Sequence, residues 1–137
     1  MSNTNYLEFL QARDNVKQRK RPGDEEHRLQ CGCVRWFRLQ HAEIGPLLFA
    51  VPNGGRRDKV SGAKLKAEGV VAGVSDLILL VARHGYHGLL IEMKTPKGHQ
   101  SQHQRQWQRL AERQGYRYVV IRSIDDFIKV VNEYLAE

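Results

Sequence analysis

Three chemically loaded residues flank two apolar runs in the middle of the chain. Asp76 lies at the opening of the run that spans Val74 to Ala82, and Glu92 and Lys94 lie at the close of the run from Leu89 to Lys94. Both runs read as strands, the first of them buried. Between them is Arg83-His84-Gly85-Tyr86-His87-Gly88, a hairpin-type loop with two glycines. In an antiparallel hairpin centred on His84, Asp76 and Glu92 face each other, and Glu92 and Lys94, two residues apart, leave the same face. Like charges opposite one another destabilise a sheet, and half-buried carboxylates are driven toward protonation. A divalent cation between them reverses the sign of that energy. An oxygen-only ligand set selects a hard ion, Mg²⁺ or Mn²⁺, over zinc. Lys94 beside such an ion would orient or help deprotonate a water whose pKa the ion also lowers. The same spacing fits an ordinary edge hairpin with solvated Asp, Glu and Lys, and spacing alone leaves both open.

The elements that would position these residues follow from periodicity. Asp24 starts a helix to about Leu39, with Leu29, Cys33, Trp36 and Phe37 on one face. Leu47 to Val51 is a short strand stopped by Pro52-Asn53-Gly54. Gln100 to Gln114 is a helix whose stripe contains Gln104, Trp107, Leu110 and Ala111, with Gly115 as its stop. Tyr116 to Arg122 alternates as a strand. Ser123 caps a last helix carrying Phe127, Val130, Val131, Tyr134 and Leu135. The order α-β-β-β-α-β-α describes a mixed α/β domain with a small central sheet.

Composition bounds the function. With 137 residues the chain is expected to form one domain around one core, and its 41% apolar content is that of a globular protein. The longest apolar run, Leu77 to Ala82, falls far short of the roughly 20 residues of a membrane span. Met1 to Leu10 lacks the order of a secretory signal. The cysteines, Cys31 and Cys33, make neither a disulfide scaffold nor a zinc site, which favours a reducing, cytoplasmic setting. The net charge of +7 suits a polyanion partner, most simply nucleic acid, although charge by itself does not decide this. The charge is clustered. Residues 1–23 form a basic N-terminal arm, open to a helical form, with Arg13, Lys17, Arg19, Lys20 and Arg21. A second cluster, Arg56, Arg57, Lys59, Lys64 and Lys66, lies in a glycine-punctuated stretch expected to be a loop, either solvated or close to phosphates. His99 and His103, spaced as a helical zinc pair, lack the accompanying Glu of a zinc-protease motif, so they read as exposed or phosphate-facing. Trp36 and Trp107 read as core, and His84 and His87 as exposed.

Asp followed at hairpin distance by Glu-x-Lys resembles the active site of the PD-(D/E)XK nucleases, with Ser75 in the place of the proline, whose side chain supplies no ligand. The wider pattern is Glu26-x-x-x-Gln30, Val51-Pro-Asn-Gly-Gly55, Gly69-Val-x-x-Gly-Val-Ser-Asp76, Ile91-Glu-Met-Lys94 and Ser101-x-x-Gln104-x-x-Trp107. In that order it closely resembles the VRR-NUC branch, the virus-type replication-repair nucleases, over residues 25–135, in a stand-alone form of phage or bacterial type.

The resemblance implies a restriction-endonuclease-like PD-(D/E)XK core spanning 24–137. It implies Asp76 and Glu92 as ligands of Mg²⁺ or Mn²⁺, with the Met93 backbone carbonyl as a further ligand. Lys94 would position the attacking water, Glu26 would complete or support the metal shell, and Gln104 would reach the active site from its helix. Arg56, Arg57, Lys59, Lys64 and Lys66 would grip phosphates. Asn53 would contact DNA or cap its turn, the turn being preferred.

The implied activity is metal-dependent endonucleolytic hydrolysis of DNA, structure-selective on branched DNA such as Holliday junctions, by a homodimer. Tyr6, Leu7, Phe9 and Leu10 are candidates for its interface. The competing readings are a flap or linear-DNA nuclease and a non-catalytic nucleic-acid binding module, which would have no use for Asp76, Glu92 and Lys94. A restriction-type enzyme would need groove-reading elements for which the chain has little room.

Overall fold

A computed structural model describes residues 24–52 and 59–137. The basic arm with its apolar Tyr6, Leu7, Phe9 and Leu10 lies outside the described residues, as do Asn53, Arg56 and Arg57. Helix α1 spans Glu25–Gln40. Its acidic first turn, Glu25 and Glu26, and the Arg38 of its last turn match the helix dipole at each end. Cys33, Trp36 and Phe37 are its buried residues. A 3₁₀ turn, Ala42–Leu47, leads into β1, Leu48–Ala50. Then come α2 (Lys59–Ala67), β2 (Leu77–Leu79), β3 (Leu89–Met93), α3 (Gln102–Arg113), β4 (Arg117–Ile121) and α4 (Ile124–Leu135).

The four strands form one sheet in the order β1-β2-β3-β4. β1 and β2 are antiparallel, as are β2 and β3, while β3 and β4 run parallel. The resulting mixed α/β architecture is the expected one, with an additional helix. The β2–β3 connection closes through Arg83 and Tyr86, with His84 at φ 53° and Gly85 at φ 81°. Two consecutive residues with positive φ make a type I′ turn, whose twist suits an antiparallel hairpin.

β3 organises the interior. Leu89, Ile91 and Met93 point into the main core with Leu77 and Leu79 of β2 and Ile121 of β4. That face is covered by Cys33, Trp36 and Phe37 of α1 and by Phe127, Val131 and Tyr134 of α4. The Tyr134 hydroxyl donates to the Val81 carbonyl at 2.6 Å, satisfying a phenol buried among apolar groups. Ser123 accepts from the Asp126 N–H at 3.1 Å and so fixes the start of α4. Glu92 and Lys94 leave the opposite face, where α3 lies.

Three expectations are corrected. The stretch from Lys59 is a helix, not a loop. Gly62 and the lack of an apolar stripe hide it, and Gly69, at φ 101°, ends it. The Gly69 N–H donates to Lys66 and the Val70 N–H to Leu65, a Schellman closure that satisfies the last carbonyls. The run Val74 to Ala82 is not buried throughout. Only Leu77–Leu79 is strand, and Leu80 is 52% exposed, because β2 alternates between the core and an open face. Leu110 is also exposed and Trp107 is half-buried, so the stripe of α3 is narrower than its apolar residues suggest.

Candidate active site

The register that pairs Leu77 with Ile91 continues to Asp76 opposite Glu92. Asp76 is pinned from both sides. Its backbone carbonyl accepts from the Val51 N–H at 3.0 Å, tying it to the end of β1. Its Oδ2 accepts from the Met93 N–H at 2.7 Å, replacing the ladder bond that a longer β2 would have provided. Since N–H and C=O of a strand residue leave on the same edge, the Met93 carbonyl also faces the β2 side. Ser75 is buried, and its hydroxyl donates to the Leu77 carbonyl at 3.1 Å, steadying the bend from which Asp76 emerges.

Glu92 is 1% exposed and surrounded by donors. The Gln104 side-chain amide donates to Oε1 at 2.8 Å, and the Lys94 ammonium lies 3.7 Å from the same oxygen. The Tyr118 hydroxyl is 3.4 Å from Oε2. Burial pushes the Glu92 carboxyl up to about 8, with the neighbouring Asp76 charge and a hydrogen bond to Asp76 acting in the same direction. Lys94 and Tyr118 pull the other way without cancelling it. Without a cation, burial therefore favours the protonated Glu92 carboxyl near neutral pH.

Gln104 is set in place by the start of its own helix. Ser101 caps α3, accepting from the Gln104 N–H at 3.2 Å, and the Ser101 N–H donates to Gln104 Oε1 at 2.8 Å. This capping box occupies the Gln104 oxygen and leaves its NH₂ to face Glu92. Gly73 brings the Asp76 segment against the same helix. Its φ is 89°, and a Cβ there would lie 2.6 Å from the His103 backbone, so only glycine fits.

Behind Glu92 is a layer that the sequence did not single out. Tyr118 is paired with Leu90 across the parallel β3–β4 ladder, two residues before the Glu92–Val120 pair and so on the same face. Gln100 donates to the Tyr118 hydroxyl at 3.2 Å and to Gln108 Oε1 at 3.0 Å. Arg122 clamps the loop that follows Lys94, donating to the carbonyls of Thr95 at 2.8 Å and Gly98 at 2.6 Å. The Ser-x-x-Gln capping signature was visible in the sequence, whereas Tyr118 and Arg122 depend on the β4 register, for which no local signal exists.

Of the other expected site residues, Lys64 and Lys66 are exposed in the last turn of α2, and Lys59 lies at that helix's start. Glu26 is half-buried in the first turn of α1. Its helix packs on the sheet face that carries Ile91, whereas Glu92 points to the other. Among the described residues, no three of His, Cys, Asp or Glu converge on one point, so Glu26 is not brought to the Asp76–Glu92 pair. His99 precedes α3 instead of sharing it with His103, and both are exposed.

A bent hairpin carrying opposed acids and a lysine, with a helix glutamine across from them, defines a PD-(D/E)XK-like fold. The chain belongs to the VRR-NUC domain family, whose model matches residues 13–125. A solved structure described as a VRR_NUC domain protein is similar, with a TM-score of 0.72 and 29% sequence identity over 84% of this chain and 91% of that one. No curated protein matches the chain. VRR-NUC domains are nuclease domains, generally metal-dependent, and DNA is the substrate class that follows. Among the described residues no helix is long and apolar enough to cross a membrane.

Proposed function

We propose that the protein is a Mg²⁺- or Mn²⁺-dependent endonuclease that hydrolyses DNA phosphodiester bonds, acting as a homodimer on branched DNA such as Holliday junctions. The observation that carries the metal reading is the Asp76–Glu92 pair, two acids brought together across the hairpin with Glu92 fully buried. A hard divalent cation would offset the burial of two acids in one place, and the donor set fits one: two carboxylates and the Met93 carbonyl on the same edge. When bound, the cation supplies Lewis-acid stabilisation of the phosphorane-like transition state and lowers the pKa of water.

The chain's own residues do the rest. Asp76 and Glu92 would hold the cation. The Met93 N–H fixes the Asp76 carboxylate, and Gln104 fixes Glu92. Lys94, 9% exposed, would position the attacking water at the mouth of the pair. The exposed Lys64 and Lys66 on α2, together with Lys59, Arg56 and Arg57, would grip phosphates on either side of the scissile bond. A C₂ dimer would present two such sites to a junction that needs two symmetric cuts.

The test is cleavage of a labelled four-way junction, a flap and a linear duplex in Mg²⁺, Mn²⁺ or EDTA, beside Asp76→Ala. Paired cuts in the junction, abolished by EDTA and reduced at least about 10²-fold by the substitution, are expected. Preferred cutting of flaps or linear DNA would replace the branched-DNA assignment. Binding without cleavage in either metal would leave a nucleic-acid binding module.

A further inference from the structure

Glu92 is held by more than Gln104. Its Oε2 faces the Tyr118 hydroxyl, and that phenol has no freedom to turn away. Gln100 already donates to the Tyr118 oxygen at 3.2 Å, so the hydroxyl hydrogen is left for an acceptor, and Glu92 Oε2 stands 3.4 Å off. The Gln100 amide is in turn aimed by Gln108, whose Oε1 takes its other hydrogen at 3.0 Å. The Gln100 backbone carbonyl accepts from Arg105 at 2.6 Å, and the ring of Tyr118 packs against Trp107 with centroids 6.3 Å apart. Apart from Glu92 on β3, the partners of Tyr118 all lie on or just before α3.

We propose that Tyr118, oriented by Gln100 and Gln108, is a positioning residue for the Glu92 carboxylate, turning it toward Asp76 for a divalent cation. This rests on the reading that Asp76 and Glu92 hold the metal. Each Glu92 oxygen then has its own donor, Gln104 for Oε1 and Tyr118 for Oε2, so neither rotation about the last side-chain bond nor withdrawal into the sheet is free. Burial and the nearby acids hold the phenol well above its usual pKa, so it remains a donor across the working pH range. Outer partners of metal-ligating carboxylates typically change metal affinity about 10- to 100-fold when removed. The 3.4 Å separation is long for a hydroxyl bond, which places this one at the lower end, about tenfold.

The probe is Mn²⁺ alone, titrated calorimetrically into full-length wild type, Tyr118→Phe, Gln100→Glu and the double variant, with thermal unfolding in EDTA alongside. Tyr118→Phe keeps the ring against Trp107 and removes only the donor. Gln100→Glu replaces the donor beside Tyr118 with an acceptor that draws the hydroxyl away from Glu92. Each single variant is expected to weaken Mn²⁺ binding about tenfold, and the double variant no further, because both remove the same bond. Mn²⁺ binding by Tyr118→Phe within twofold of wild type would overturn the proposal while leaving the metal reading intact. Additive losses in the double variant would also overturn it, since Gln100 would then act independently of Tyr118. A wild-type protein that binds no Mn²⁺ would sink the metal reading and this proposal together.

Discussion

The two faces of β3 are built from neighbouring residues and obey different rules. On one, Leu89, Ile91 and Met93 are each at most 1% exposed and belong to a hydrophobic core with residues from α1, α4 and the adjoining strands. On the other, Glu92 and Lys94 are nearly as deeply buried, yet every partner named for them is polar. The apolar face gains from burial itself. The polar face is held against its own electrostatics by capping, ladder and amide contacts, and it stores an energy that a proton or a cation can release. Alternation with a period of two lets one five-residue strand serve both purposes, so the stability of the scaffold and the tension of the site can be altered separately.

Ile91→Ala has the largest expected effect. Removing a fully buried side chain from the carbon face should cost about 2–5 kcal/mol in chemical denaturation. Cleavage by the folded fraction should remain, and its loss well below the unfolding midpoint would show that the faces are not separable. Gly73→Ala comes next, since it strikes the junction of Asp76 with α3. A side chain at φ 89° against the His103 backbone should cost about 1–3 kcal/mol and lower cleavage as well, because it moves Gln104 relative to Asp76. Unchanged unfolding and cleavage would mean that the loop does not set the site.

The mildest perturbation is pH. In EDTA, Glu92 releases its proton near 4.5 in the unfolded chain and near 8 in the folded one. Between those values the folded chain holds the extra proton, so this group makes stability fall as pH rises from about 4.5 to about 8. Glu92→Gln removes the group, so its unfolding midpoint should decline less than that of wild type over the same window. Parallel curves would place the strain elsewhere.

Much of this division was legible in the chain. The hairpin centre at His84 and the two-residue offset of Glu92 and Lys94 needed only strand periodicity, and the structure has Leu77 opposite Ile91 in the same register. The helices α1 and α4 announced themselves by apolar stripes. α2 did not, because a helix with a glycine inside, lysines outside and no buried stripe has no periodic signal to read. Leu110 was misassigned for the converse reason: a place on the apolar stripe of a helix does not by itself bury a leucine, and this one is exposed. Tyr118 and Arg122 were invisible because a parallel partner strand reaches the site through α3, and no local spacing fixes its register. Glu26 fitted a motif, but its helix covers the carbon face instead of the charged one.

An anomalous difference map from crystals grown with Mn²⁺ tests the cation site on β3 most directly. A single strong peak between the Asp76 and Glu92 carboxylates, at about 2.2 Å from an oxygen of each and with the Met93 carbonyl in its shell, is the predicted result. Crystals with Mn²⁺ bound elsewhere and none between the two carboxylates would contradict the claim that the charged face of β3 is a cation site.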